Sequence, residues 1–480
     1  MRPPPVALLA LLALACSPPG AARRGNTVIL ASGADLQSPN PLLTVHPLAR
    51  QIQRYCLLVT LVRYDSALTP IPYLAREWHW SADRTLLTLR IFRGLRWHDG
   101  APTTARDAAW TLNAALDPAS GYPRHADLAN LRAAVAPDDS TLELRFAEPA
   151  PPPGIPDVLT DLALLPAHLF DTVPIGRLRQ ADWNRRPVGN GPFRFVAYQP
   201  NRRWVFEANP EFPAELGGRP RLDRFVVAVV DEPTTKLAAL TSGELDFAGI
   251  NPAHAEFVRR DPRLRVLDYP LLFSYALVFN LRRPPFDRLE ARRAVAAAID
   301  AKAIVDGVLF GFGTPAASPL PAELTHPDLQ SSRLPVFPSS RPPVLPPFEL
   351  LTVGSGEAAL EQMLQAELAA AGMSAEIRQL ELATYLDRVQ GPAHAFEAAV
   401  MGVSGDLELG HLARLVTLAG LRPAGTRDQL LRLIQDSLPA VFLYHARGVQ
   451  GMNRRVQGVQ MDLRGELVTL SRWWVNDGER

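Results

Sequence analysis

Cysteine is scarce in this chain: Cys16 and Cys56 are the only two among 480 residues. Cys56 is therefore the one thiol beyond the extreme amino terminus, no internal disulfide can brace the folded body, and the redox state of its compartment leaves no mark on the sequence. Lysine is equally rare. Lys236 and Lys302 are the only two, and every other basic side chain is arginine. Beside so much alanine, leucine and proline, this bias reads as codon usage of a GC-rich genome and not as a binding device. Charge of one sign is missing too: the formal net charge is +1, which excludes bulk attraction to nucleic acid or anionic lipid. Beyond the first residues no charge-free run approaches the ~20 residues that a membrane-crossing helix needs.

The signatures of catalysis are also missing. Gly402-Val403-Ser404-Gly405-Asp406 lacks the final glycine of a nucleophile elbow. No phosphate-cradling Gly-x4-Gly-Lys-Ser/Thr loop and no dinucleotide-binding Gly-x-Gly-x-x-Gly after a strand can be found. The ten histidines are scattered, with no pair at metal-ligand spacing on one helix. Trp97-His98-Asp99-Gly100 has chemical residues, but Asp-Gly is a turn signal and the tryptophan a packing residue, so a turn is expected there. The expectation is a protein without catalytic residues, metal or cofactor.

What is present begins with the amino terminus. Arg2 precedes an unbroken apolar run, Val6 to Ala15, too short to span a bilayer and suited to the core of a signal peptide. It ends Ala13-Leu14-Ala15-Cys16, which resembles a bacterial lipobox, with Ala13 where leucine is commoner. The resemblance implies lipidation of Cys16 after removal of residues 1–15, with 16–25 as a flexible tether; a plain secretory signal cleaved near Ala15 is the alternative. Ser17-Pro18-Pro19-Gly20 rules out continuation as a helix.

The rest, 47% hydrophobic for the whole chain, is long enough for more than one compact unit. Strands are expected at Thr27 to Ala31, Leu86 to Phe92, Phe225 to Val230, Leu264 to Leu267, Leu271 to Phe279, Phe348 to Val353, Glu376 to Leu380 and Ala440 to Tyr444. Thr104 and Asp107 have the spacing of a capping box, and Ala105, Ala108, Ala109, Leu112, Ala115 and Leu116 then fall on one helical face, up to Pro118. Further helices are expected at Pro233 to Thr241, closed by Gly243, at Glu290 to Ile299, at Ile304 to Phe310, at Leu360 to Leu368 before Gly372, and at Arg427 to Leu438. Glu148 to Pro156 and Pro315 to Pro347 are crowded with proline and show no period, as linkers and surface excursions do. Alternation of this kind argues an α/β architecture.

Several longer motifs occur in a fixed order. They are Ser38-Pro39-Asn40-Pro41-Leu42-Leu43-Thr44, Leu61-Val62-Arg63-Tyr64-Asp65, Pro70 to Ala75 with Trp78, Leu89 to Gly100, and Thr104-Ala105-Arg106-Asp107 with Trp110-Thr111. Gly189-Asn190-Gly191-Pro192-Phe193, Asn209-Pro210, Gly243-Glu244-Leu245-Asp246 and Arg292 to Asp300 follow. Together this set resembles the family 5 extracellular solute-binding proteins, the oligopeptide, dipeptide and nickel binders of ABC importers. The resemblance runs from Asn26 to about Pro319 and continues in patches.

It implies a type II periplasmic-binding-protein fold of two α/β lobes joined by a hinge, with a small extra domain inserted in the first lobe. Lobe I would comprise 26–60, 168–265 and 448–480, the inserted domain 61–167 and lobe II 266–447. Ligand would lie between the lobes. In peptide binders of the family an aspartate of a Gly-Trp-x-x-Asp segment holds the ligand's amino group, and Asp406 occupies its place here, with Val403 and Ser404 before it. Read from its own neighbours, Asp406 serves equally well as a helix cap. Val403 stands where the tryptophan belongs, and the stretch from Asp406 to Thr426 is shorter than in relatives. Tyr444 matches an aromatic that lines the cleft, though core packing is as good a role, and Asp35 completes the candidate ligand-binding set. The implied partners are a peptide, ABC permease subunits and, through Cys16, a membrane, for a monomer in the periplasm or at the cell surface. A nickel chelate (His411 lies near Asp406), a sugar, or a sensor role without transport are the rival readings.

Overall fold

The protein is described by a computed structural model covering residues 25–44, 46–150, 154–324, 344–354, 358–405, 410–423 and 427–476. Cys16 and Asp406 thus lie outside the described residues, as does most of the proline-rich stretch after Pro315.

One eleven-stranded sheet runs through the molecule. Its first half is built on Thr27–Ser32, which pairs in parallel with Arg224–Val229 on one side and with Phe247–Gly249 on the other. Arg203–Ala208 and then Phe193–Gln199 extend it outward in antiparallel fashion. Its second half pairs Phe348–Val353 in parallel with both Ala375–Leu380 and Ala398–Ser404. Parallel strands need crossover helices that bury both faces. The helices Pro233–Ser242 and Ala359–Ala370 precede such strands.

Two long antiparallel strands join the halves. Leu264–Phe279 and Ala440–Asn453 pair from Leu264 with Asn453 to Val278 with Ala440. At one end Ala440–Asn453 also pairs with Phe247–Gly249, and at the other Leu264–Phe279 pairs with Ala398–Ser404. Between them the register slips from Pro270 to Ser274. This is the two-lobed α/β arrangement that the family resemblance implied. Two details differ from the sequence reading. The two strands expected on either side of Pro270 are one strand carrying an irregularity, because a proline lacks the ladder N–H and sits at such a break without ending the strand. The strand expected to stop at Tyr444 continues to Asn453, through Gly448 and Gly451, where side chains from other elements cover the missing β-carbons.

A separate sheet of four antiparallel strands, in the order Ala75–Trp80, Leu86–Ile91, Thr141–Phe146 and Leu131–Asp138, lies within the segment between the first and later strands of the first half. Helix Ala105–Leu116 packs on it. The expected capping box is present, with Thr104 and Asp107 satisfying each other's backbone N–H, and Asp107 also accepts from the Ala167 N–H at 2.9 Å. Ala105, Ala108, Ala109, Leu112 and Ala115 are buried as the periodicity required. Trp97, Trp204 and Trp473 are fully buried. Trp473 stacks on Phe247 at 4.8 Å and meets Phe225 edge-on at 6.1 Å, so the end of the chain is fastened into the first lobe.

Candidate functional site

A group of arginines from separate segments of the chain gathers near Leu272, at the register break. Helix Pro47–Ile52 continues into the wider turn Gln53–Leu57, so Arg50 and Arg54, four residues apart, project from the same side. Both reach the carboxylate of Asp161, at the end of the short helix Val158–Asp161; Arg54 does so at 2.8 Å. Arg124 binds the other carboxylate oxygen at 2.5 Å and also pairs with Asp127. Burial would raise the Asp161 carboxyl, but the three guanidinium groups outweigh it and hold the acid well below the usual carboxylate range.

Arg63, on the strand Val62–Tyr64, is placed differently. Its guanidinium lies 3.6 Å from the centre of the Tyr73 ring and 5.4 Å from that of Tyr55, and one Nη donates to the Arg54 carbonyl at 3.3 Å. The Tyr73 hydroxyl is buried, and burial raises its pKa although the adjacent Arg63 guanidinium pulls the other way. Arg464 is paired with Asp462 at 2.6 Å and donates to the Tyr64 carbonyl, while the Tyr55 hydroxyl donates to the Arg464 carbonyl at 3.2 Å. The Tyr64 hydroxyl donates to Asp157.

Arg50, Arg54, Tyr55, Arg63, Tyr64, Arg124, Asp157, Asp161 and Arg464 line a cavity of about 130 Å³ that Leu272 and Gly405 also border. Gly405 donates its N–H to the Leu272 carbonyl at 2.6 Å, extending the pairing of Ala398–Ser404 with Leu264–Phe279 beyond the register break. The cavity thus brings Leu272, on one of the two long strands, and Gly405, after a strand of the second half, together with segments that lie outside the eleven-stranded sheet. Five arginines, Arg50, Arg54, Arg63, Arg124 and Arg464, face it, against two carboxylates, Asp157 and Asp161.

None of the described candidate residues from the sequence lines this cavity. Ser404 ends its strand opposite Phe273 and is exposed; Val403, opposite Ser274, packs with Leu412, Leu415 and Phe442. Tyr444 is buried and stacks on Tyr275 at 5.0 Å. Asp406 lies outside the described residues, but Gly405, before it in the chain, lines the cavity. Asp35 is apart from these, at the outer strands of the first half. Its carboxylate accepts from Trp204 Nε1 and the Tyr198 hydroxyl at 2.7 Å, and from the Asn201 and Leu36 N–H groups. Burial opposes ionisation of Asp35, and these donors more than offset it, lowering its pKa.

Nothing in the sequence marks the arginine cluster as a whole, because arginine is the common basic residue throughout the chain. One local signal existed, Arg50 and Arg54 at helical spacing. Asp161, Arg124 and Arg464 come from distant parts of the chain and carried none. The Trp97 to Gly100 stretch is the turn that was expected. His98 fits against the Gly189-Asn190-Gly191 segment, its Nε2 donating to the Gly191 carbonyl at 3.1 Å. A β-carbon at Gly191 would come within 2.5 Å of the Cys56 carbonyl, so only glycine allows that approach. Among the described residues no group of three or more His, Cys, Asp or Glu could hold a metal ion. No described helix is long and apolar enough to cross a membrane.

Comparison with known proteins adds the following. Residues 69–334 match the model of the bacterial extracellular solute-binding proteins, family 5. A protein of Brucella ovis named as an ABC transporter peptide-binding protein is 31% identical over 258 residues, 53% of this chain and 48% of the relative. Di/tripeptide-binding protein 2 of Pseudomonas aeruginosa is 27% identical over 358 residues, 68% of this chain and 66% of the relative. The chain spans about half the length of the Brucella relative. The structure of the oligopeptide-binding protein AppA from Bacillus subtilis, in complex with a nonapeptide, superposes with a TM-score of 0.73 at 20% identity. It covers 94% of this chain and 99% of AppA, a likeness of fold.

Proposed function

The chain belongs to family 5 of the bacterial extracellular solute-binding proteins, and from that premise we propose that it captures peptides outside the cytoplasm and delivers them to an ABC-type importer. The observation that carries this reading is the cavity bordered by Leu272 and Gly405 as well as by the arginine-bearing segments outside the large sheet, beside the two strands that join the halves. A ligand touching both sides binds the closed arrangement better than an open one. That difference in affinity is what shifts a two-lobed protein toward closure. The register break from Pro270 to Ser274 is the natural place for the motion, because fewer ladder bonds resist bending there.

In this reading Asp406 receives the peptide's amino group, next to Gly405 at the cavity. Ser404 offers a hydroxyl beside it, Val403 and Tyr444 shape the wall behind, and Asp35 acts indirectly by holding Tyr198 and Trp204. The four-stranded sheet belongs to the inserted small domain. Nothing happens to the ligand covalently, and no cofactor is involved. The mature chain works as a monomer, held to a membrane by lipid on Cys16, and its partners are the permease subunits of the importer.

Native mass spectrometry of the purified protein, with small-angle scattering before and after addition of a peptide mixture, tests the proposal. Bound peptides of intact mass and a smaller radius of gyration are expected. Steady hydrolysis of added peptides, or no bound peptide under any condition, overturns it.

A further inference from the structure

A net charge of +1 excludes bulk attraction to an anionic surface, but the charge is not spread evenly along the chain. Residues 175–203 hold seven arginines, Arg177, Arg179, Arg185, Arg186, Arg194, Arg202 and Arg203, against one acid, Asp182. Arg177, Arg179, Arg185, Arg186 and Arg202 are exposed and form no ion pair among the described residues. Arg194 reaches Glu211 only at 3.6 Å, and its bonds at 2.9 and 3.2 Å go to the neutral Asn209 side chain. Arg185, Arg186 and Arg194 line an open pocket of about 670 Å³ along Phe193–Gln199, the outermost strand of the large sheet. Two acids also line it. Asp99 is engaged by His168 at 2.8 Å, which leaves Glu207, across the strand pair from Arg194, to face three guanidinium groups.

Two observations select what covers this edge. A further protein strand is the usual partner of an exposed sheet edge, but Phe193–Gln199 slips register between Phe195 and Ala197. A bulge and a row of charges are the features that keep another strand from adding. The second observation is where the chain enters the fold. Thr27 pairs with Arg224, Arg224 with Glu207 and Glu207 with Arg194, so the four lie in one row across the sheet. Three strand spacings of ~4.8 Å put Thr27 about 15 Å from Arg194. Residues 1–24 therefore join the fold beside the basic pocket.

We infer that this edge docks on a membrane surface rich in anionic phospholipid. Headgroup phosphates enter the pocket between Arg185, Arg186 and Arg194, and Val196, 42% exposed beside them, meets the lipid interface. The inference goes beyond the peptide reading and stands without it. Guanidinium forks match phosphate oxygens in pairs. A single lipid chain anchors weakly, and a basic patch acting with it makes anchoring stable. The edge strand lies five places from Ala440–Asn453 in the sheet, so docking here leaves the joining strands free to bend.

Sedimentation with vesicles tests this. The protein is the full chain carrying Cys16→Ser, so that no acyl chain masks the contact. The vesicles are phosphatidylcholine alone or with about one-third phosphatidylglycerol. Binding to the charged vesicles should exceed binding to the neutral ones at least about tenfold at low salt, and should vanish near ~0.5 M salt. Arg185→Gln with Arg186→Gln should weaken it about ten- to thirtyfold, since each arginine near such a surface contributes about fivefold. Arg432→Gln, at an exposed arginine of the helix Arg427–Ser437, should change nothing. If the Cys16→Ser chain is not recovered in soluble form, the unchanged protein on the same two vesicle types supplies the comparison. Arg185 and Arg186 should then be protected from phenylglyoxal, read by mass spectrometry, on the charged vesicles alone. Equal binding or equal protection on both vesicle types overturns the inference, as does an equal loss from Arg432→Gln. Binding of glycerol phosphate at this pocket without binding to charged vesicles also overturns it, and assigns the arginines to a soluble phosphate compound. Peptide capture by the double variant should match that of the unchanged protein, so a failure here is distinct from a failure of the peptide reading.

Discussion

The ring of Tyr269 lies flat against the backbone of Gly448, directly across the pair of strands that joins the two halves of the molecule. The two residues are register partners, and a β-carbon on Gly448 would come within 2.1 Å of the ring. The Tyr269 hydroxyl donates to the buried Glu466 at 2.8 Å, so the same side chain ties the long strands to the carboxyl-terminal segment. Tyr269 immediately precedes the register break at Pro270.

Gly448→Ala should destabilise the protein by about 1–3 kcal/mol, the usual effect of forcing an extra carbon into a packed site. Tyr269→Phe should cost about 1 kcal/mol by removing the hydroxyl that donates to the Glu466 carboxyl. Urea unfolding of both variants checks this. Midpoints equal to the unchanged protein's would show that the contact does not matter.

Asp161→Asn leaves Arg50, Arg54 and Arg124 around a neutral group, and loss of one partner from a buried ion cluster typically costs ~3–5 kcal/mol. The pH dependence has a definite sign. Asp161 is held below its ordinary value by the three arginines, so it stabilises the fold above the unfolded carboxyl pKa of ~3.9 and loses that contribution as pH falls through its lower folded value. Melting temperatures taken from pH 5 down to pH 2 should fall less steeply in the variant than in the unchanged protein.

His98 and His445 give a second acid-sensitive window, at higher pH. Burial pushes both down to about 4. The unfolded chain gains protons on them below ~6.5, while the folded protein does so only near 4, so stability should decline as pH drops between those values. His98→Gln and His445→Gln should each flatten part of that decline. His445 also meets the Ser274 hydroxyl at 2.7 Å, beside the register break, so its substitution should alter lobe closure as well, measured by scattering.

Cys16→Ser should release the mature chain from the membrane fraction if lipid on that cysteine is the anchor, since a processed lipoprotein carries the two or more acyl chains that stable anchoring needs. Fractionation of cells expressing the variant gives the answer. A variant as membrane-bound as the unchanged protein would locate the anchor elsewhere.

Asp406→Ala should weaken peptide binding by a factor on the order of hundreds, because the ligand's ammonium would be left without its partner. Acetylating the peptide's amino terminus should weaken the unchanged protein similarly and add little to the variant's loss. Calorimetry showing two independent losses would assign the amine to another group.

The sequence by itself determined the scaffold. Thr104 with Asp107, the apolar face after them, and the helix ending at Gly243 each follow from bonds and contacts a few residues apart, which local spacing encodes completely. The family motifs did the same for the fold, since Gly189-Asn190-Gly191 and Trp97 to Gly100 are turns with one workable geometry. Only the tertiary structure decided that Leu264–Phe279 and Ala440–Asn453 are continuous. Pro270, Gly448 and Gly451 argue locally against a strand, and only Tyr269 and Leu240, brought in from elsewhere, make those positions workable. The arginine-lined wall is the clearest case. Arg50, Arg124, Asp161 and Arg464 belong to no motif in the sequence, and Arg63 stands there only as part of a family motif. Their meaning arises from the net charge of a small enclosed space, a property of which side chains converge and not of any segment of chain.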